Sequence, residues 1–168
     1  MAIPASVSTD GNVKVTWVPT ITNPAVPTAT VLNGGTAIEL SCYITAGGLT
    51  TGGDDTQITD SRLCERQTFS RVGTFTDTLA LEYVYQAQSP AAADNKAFAT
   101  LAPLTEGFIV IRWGQDDTEA YASGDIVDVY PVECNRQQKV NPEANTVLKI
   151  SQNMNVTGVV ERDVVVAT

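Results

Sequence analysis

The chain has 168 residues, enough for one domain with a single substantial core, and its 43% hydrophobic and 17% charged content excludes wholesale disorder. A formal net charge of −9 excludes a grip on nucleic acid through neutralised phosphates, though not passage beside it. No stretch approaches the ~20 apolar residues of a helical membrane span, and the start, MAIPASVSTDGN, has no basic or apolar region to suggest Sec export.

Strand signals dominate. Asn12–Val18 alternates Val13, Val15 and Trp17 with Lys14 and Thr16 after the turn Asp10-Gly11. Ile21–Pro27 holds two prolines and reads as an extended connection. Ala29–Leu32, Asn33-Gly34-Gly35 and Ala37–Ile44 read as strand, turn, strand. Next comes Thr45–Ser61, TAGGLTTGGDDTQITDS, predicted as a loop far longer than the usual ~4–6 residues. Such a loop is a linker, a binding element or a segment that orders against a partner. Arg62–Thr68 is a strand candidate.

Thr76–Gln86 is the clearest strand, with Leu79, Leu81, Tyr83 and Tyr85 on one face. Ser89 as N-cap, Pro90 at the first helical position and the alanines that follow predict one helix of about three turns over 90–102, with Ala97, Phe98 and Leu101 on its apolar face. Gly107–Trp113 and Asp125–Cys134 are further strands, and Pro131 marks an edge or a bulge in the second. Thr146–Ile150, Asn155–Val160 and the β-branched run Asp163–Ala167 close the chain. The pattern predicts a single, mainly β domain over residues 1–168, a sandwich or partly closed barrel with one flanking helix.

Chemistry is poorly provided for. There is no histidine, hence no Ser-His or Cys-His pairing and no common zinc ligand. Cys42, Cys64 and Cys134 are widely spaced and read as buried free thiols; a disulfide plus a spare thiol would need an oxidising compartment that nothing else implies. The paired glycines Gly34-Gly35, Gly47-Gly48 and Gly52-Gly53 fit neither phosphate-binding fingerprint. Asp54-Asp55 and Asp116-Asp117 read as solvated loop acids, and the set Asp54, Asp55 and Asp60 misses the spacing of the calcium-binding loop and lacks its closing Glu. Neither a metal nor an organic cofactor is expected, and no enzyme activity. Trp17 and Trp113 fit core packing, while Arg112 beside Trp113 is either a subunit-interface anchor or part of a solvated strand face.

The opening MAIPASVSTDGNVKVTW, the central ADNKAF and FIVIRWG, and the closing VDVYPVECNRQQKVNPEANTVLKISQ and NVTGVVERDVVVAT resemble the major tail tube proteins of long-tailed bacteriophages, especially those of actinobacterial hosts. The resemblance implies a sandwich-like domain that forms six-membered rings, stacked into a hollow virion tail through which DNA passes without specific binding. It implies assembly in the host cytoplasm, with tape measure, distal tail and tail terminator proteins as partners. The candidate stacking loop to the next ring is then Thr45–Ser61, with Gly47, Gly48, Gly52, Gly53, Asp54 and Asp55 as its central residues. Glu82, Asp125 and Asp128 become candidate lumen acids, and Arg112 and Trp113 candidate interface anchors. Some relatives carry a further immunoglobulin-like domain; this chain stops at Thr168 after a strand, so the tube domain alone is expected. The competing readings are another virion β-protein, such as a head-decoration or head–tail joining protein, an immunoglobulin-like surface- or carbohydrate-binding module, and an acid-dependent hydrolase.

Overall fold

The computed structural model describes residues 3, 5–64, 66–89 and 91–168. The predicted helix-starting residue Pro90 lies outside the described residues. The strands among them are β1 Val13–Val18, β2 Ile38–Glu39, β3 Ile44–Asp60, β4 Phe69–Val84, β5 Glu106–Trp113, β6 Ile126–Cys134, β7 Gln138–Lys139, β8 Lys149–Val156 and β9 Glu161–Val165. They form one sheet in the order β2-β1-β5-β6-β8-β4-β3, with β7 added to β8 and β9 added to β6. Every strand pair is antiparallel, and the sheet curls without closing into a barrel.

The centre of the sheet is buried on both faces, which is why FIVI in β5 reads as a continuous apolar run. Ile109 and Ile111 point into a large core with Val15, Trp17, Leu79, Leu81, Tyr83, Tyr130 and Val132. Val110 points the other way, into a smaller core with Val18, Leu32, Tyr121, Val127 and Val129. The period of two along each strand sorts the residues between these cores. Gly107 is required in β5 because the Trp17 indole lies where a Cβ would be.

Several expectations need correction. Ala29–Leu32 is a single helical turn, α1, not a strand: Thr28 is extended, and its Oγ1 accepts from the Val31 N–H at 3.4 Å. Asn33 does not serve a hairpin; its side-chain amide pairs with both backbone groups of Tyr121, at 2.8 and 3.0 Å. Ala37–Ile44 shortens to β2, followed by a 3-10 turn at Ser41–Tyr43. The predicted helix contracts to α2, Lys96–Thr100, because the Asn95 side chain bonds both backbone groups of Gln86, at 2.9 and 3.0 Å, and Ser89 caps a turn upstream. Its apolar face is as expected, with Ala97 and Leu101 buried and Phe98 packed beside them. At the C-terminal side, β8 begins only at Lys149 and ends at Val156, so residues 146–148 and 157–160 are connections.

Pro131 sits at neither an edge nor a bulge. It lies in the middle of the sheet, where β6 ends its pairing with β9 at Val129 and begins its pairing with β8 at Val132. Its carbonyl accepts from Thr157 at 2.9 Å in the gap between the two partners. A residue with no N–H fits such a handover without removing a ladder bond.

The largest correction concerns Thr45–Ser61. It is a strand: β3 pairs with β4 from Leu49/Leu81 out to Asp60/Phe69, and Arg62–Thr68, the supposed strand, lies in the connection. The Gly/Thr/Asp composition hid it because both faces of its outer part are exposed, so no apolar alternation is needed.

Three measurements test this packing. Gly107→Ala should cost about 1–3 kcal/mol in urea unfolding, since the added methyl must displace Trp17. Burial pushes the Cys134 thiol up to about 11 and the Tyr121 hydroxyl up to about 12, and raises Tyr83 as well. The unfolded chain therefore releases these protons at lower pH than the fold does, so stability should fall progressively as pH rises above about 9. In the native protein a thiol reagent should titrate the exposed Cys42 and Cys64, and reach buried Cys134 only on unfolding.

Candidate functional site

Beyond the body of the sheet, β3 and β4 have only each other. β8 pairs with β4 from Leu79 to Val84, and residues 69–78 of β4 have no partner but β3. The outer half of this hairpin thus projects as a two-stranded arm whose two outward edges both carry unpaired backbone groups. At its base, Arg162 donates to the Asp77 carboxylate at 2.6 Å and braces the arm against the body.

The arm is sequence-encoded in pieces. Gly48 lies at its root, buried against the Glu82 carbonyl so closely that a Cβ would not fit, and Gly47 beside it has φ of 76° at a break in the register. Gly52, Gly53, Asp54 and Asp55 lie further out and are exposed. Of the six predicted stacking residues, the structure therefore puts two in the root and four in the projecting part. Midway, Thr56 faces the extra residue of β4, and its hydroxyl bonds both backbone groups of Thr74, at 2.8 and 2.9 Å. Towards the tip the arm displays Ile58, Leu63, Phe69, Val72 and Phe75 to solvent. That display is not an ordinary free surface: a long exposed edge bearing apolar side chains normally marks a contact with another chain.

Sequence reasoning missed this apolar set, because Phe69–Phe75 was not assigned to any element. Its signal is present: two segments of similar length flank a polar stretch at 61–68, as in a hairpin.

The interface anchors divide. Trp113 is 46% exposed, with its indole N–H donating to Asp128 at 2.9 Å. Arg112 is not at a surface at all; it is 1% exposed and has no face to offer a partner. Its guanidinium holds the 114–125 segment, donating to the Asp125 carboxylate at 2.8 Å and to the carbonyls of Asp116, Glu119 and Ala120. Tyr121 covers it, 5.1 Å from ring centre to guanidinium carbon. Lys14 assists, donating to the Asp117 and Glu119 carbonyls at 2.8 and 2.9 Å.

The three predicted lumen acids are likewise engaged. Asp125 is the nearly buried counter-ion of Arg112, an internal residue and not a lining one. Glu82 is half-buried and pairs with Lys149. Asp128 accepts from Trp113 and from the Asp163 N–H, both neutral donors, and has no Lys or Arg in ion-pair contact among the described residues.

Nothing here assembles into a catalytic constellation. Asp116 is an exposed turn acid, held below the usual carboxylate range by the hydroxyl and N–H of Thr118. Asp54 and Asp55 occupy successive positions of β3 and so point to opposite faces of the arm. Among the described residues, no three His, Cys, Asp or Glu cluster to hold a metal ion, and no helix is long and apolar enough to cross a membrane.

No curated protein matches the chain significantly. It is similar to a chain in the cryo-EM structure of the anti-feeding prophage (AFP) baseplate, 6-fold symmetrised, with 13% identity and a TM-score of 0.49 over 94% of this chain and 95% of that one. The family model described as "Phage tail tube protein" matches residues 1–168. With the match running the whole length, the chain belongs to the phage tail tube protein family, and is a structural, non-enzymatic component of the virion tail that self-assembles into a tube with other tail proteins.

Proposed function

We propose that this protein polymerises as stacked six-membered rings into the hollow tube of a long, non-contractile tail, and that the phage genome leaves through the bore. The observation that carries the reading is the arm: none of the described residues of 54–76 is buried in its own subunit, and the arm exposes two bare strand edges and carries apolar side chains. Beyond its own β3–β4 ladder such a segment has little to hold it within one subunit, and a second copy would supply the rest. A ring of subunits joined edge to edge removes the edges by closure, and a ring-to-ring contact between unlike surfaces extends without limit.

The acidity suits a conduit. Duplex DNA carries one negative charge per ~1.7 Å of axis, so a bore of the same sign does not hold it. With a Debye length of roughly 8 Å at physiological salt, only acids facing the bore act on the DNA. Asp128, without a cationic partner, remains the strongest of the candidate lumen acids. The sequence resemblance supports a siphovirus-type tail of an actinobacterial host, built in the host cytoplasm. A tape measure protein would set its length, with distal tail and terminator proteins at its ends.

Electron microscopy of the concentrated, purified protein tests this reading. Tubes or stacked rings are expected; discrete trimers, monomers or single rings would favour a head-decoration, joining or binding module instead. Replacing residues 54–76 with Asn-Gly, between the paired Gly53 and Asp77, should leave a folded subunit whose melting temperature changes by less than about 5 °C. That variant should form no tubes. Amide exchange should be fast along the outer arm in the free subunit and strongly slowed in the tube; equal protection in both states would rule out a contact role for the arm.

A further inference from the structure

The arm tip differs in charge from the rest of the chain. Arg62, Arg66 and Arg71 place three of the ten Lys and Arg residues within ten positions, against one acid, Glu65, so that 62–71 carries three positive charges and one negative in a protein of net charge −9. Between them stand Leu63, fully exposed, and Phe69, half-exposed. Among the described residues Arg62 pairs with its neighbour Asp60, at 3.2 Å, on an open surface where such a pair contributes little. The tip is therefore a cationic and apolar knob on an acidic body.

A groove of the opposite character lies at the other end of the same strand. It runs between β1 and the root of β3, where the curled sheet fails to close, and encloses about 520 Å³. Val13, Val15, Leu49 and Trp113 line it, with Asp10 and Asp117 at the rim. No Lys or Arg among the described residues forms an ion pair with Asp10, Asp117 or the adjacent Asp116. Lys14 and Arg112, the cations nearest in sequence, are buried and committed to Glu39 and Asp125. An apolar floor with a half-exposed indole and an acidic rim is the complement of an arginine-rich apolar knob.

We propose that this groove receives the arm tip of a neighbouring copy. The tip cannot reach its own groove: β3 runs extended from Leu49 in the groove wall to the tip beyond Asp60, a separation of roughly 35–40 Å at ~3.3 Å per residue. Contact is possible only between copies, and because knob and groove are different surfaces it propagates. The assignment rests on the tube reading above and adds to it the surface that accepts the arm. A second groove, beside Cys42, Tyr43, Tyr85 and Leu148, is larger, but its acid Asp94 already accepts from Ser89 and its Tyr85 ring is faced by Lys139 at 5.5 Å. Asp94 is its one lining acid, and the Lys139 ammonium beside Tyr85 would repel an arginine-rich tip, so it offers less negative charge than the groove with Asp10 and Asp117.

Charge exchange tests the pairing. The tip variant R62E/R66E/R71E and the groove variant D10K/D117K should each raise the protein concentration needed for tube formation by about tenfold or more. Mixed within one chain, the two sets should restore assembly to within about threefold of the unaltered protein, at an ionic strength near 0.1 M. Circular dichroism and thermal melting check that every variant folds. Assembly unaffected by either set, or no recovery in folded chains carrying both, would overturn the proposal while leaving the tube reading intact. The native thiols give a second readout, since Cys64 lies in the tip and Cys42 lines the rival groove. In tubes of T9C/C42A, mild oxidation should link Cys64 to the new groove thiol and produce a covalent ladder. A ladder from unaltered tubes through Cys42 and Cys64 would instead place the tip in the rival groove and refute the assignment. If the unaltered protein forms no tubes under any condition, the tube reading falls and this one falls with it.

Discussion

Strand β4 outruns its neighbour. β8 accompanies it for six residues, Leu79 to Val84, and then turns away, while β3 continues beside it to Phe69. All that distinguishes this molecule from a self-sufficient β domain follows from that mismatch. Where β4 has partners on both sides it is buried, with Leu79, Leu81 and Tyr83 in the main core. Where β8 leaves, burial stops within two residues. A two-stranded ribbon has marginal stability in water, so the arm's order is lent by its root and completed by whatever it meets.

The root is correspondingly rigid. Tyr83 donates to Gln152 at 2.9 Å and receives from Gln137 at 3.0 Å, while both glutamine amides also reach the Leu101 carbonyl at the end of α2. This buried polar network ties β4, β8 and the helix together, and satisfied networks of this kind fix one arrangement of a core. Across the sheet, Arg112 and Lys14 do similar work for the 114–125 segment, donating into successive carbonyls that no strand ladder uses. Thr16 and Tyr121 complete that layer with a 2.9 Å hydroxyl pair.

What could be read from the residues was what burial writes into them. The strands around Val13–Val18, Leu79–Val84, Ile109–Ile111 and Val127–Val132 have a side to bury, and alternation or a continuous apolar run betrays it. The mainly β class and a helix within 90–102, though not its short extent of Lys96–Thr100, were legible for that reason. The outer half of β3 buries neither face, so its strand nature was invisible and only its unusual length signalled a role. Arg112 shows the converse error. An arginine beside an exposed tryptophan suggests a surface, but its depth is decided by a loop whose carbonyls converge on it, which spacing alone does not reveal. Cys42, Cys64 and Cys134 are free thiols, but only Cys134 is buried as expected; Cys42 and Cys64 are exposed, on a 3-10 turn and at the arm tip that bury little. The assignment of interface and lumen roles required knowing which strands end early, a property of pairing partners rather than of any one segment.

The two margins of the sheet are also unequal. One ends in β2, two residues long and backed by a 3-10 turn whose Ser41 hydroxyl and Leu40 N–H occupy the backbone of Val15; the other ends in β3, seventeen residues long and bare. A body with one sealed and one open margin is directional, so a stack of such bodies has dissimilar termini. If the arm tip of one copy seats in the groove of the next, one terminus would show unspent fingers and the other empty sockets, elongation would proceed at a different speed from each, and a protein that halts growth would need to mimic only one half of the joint.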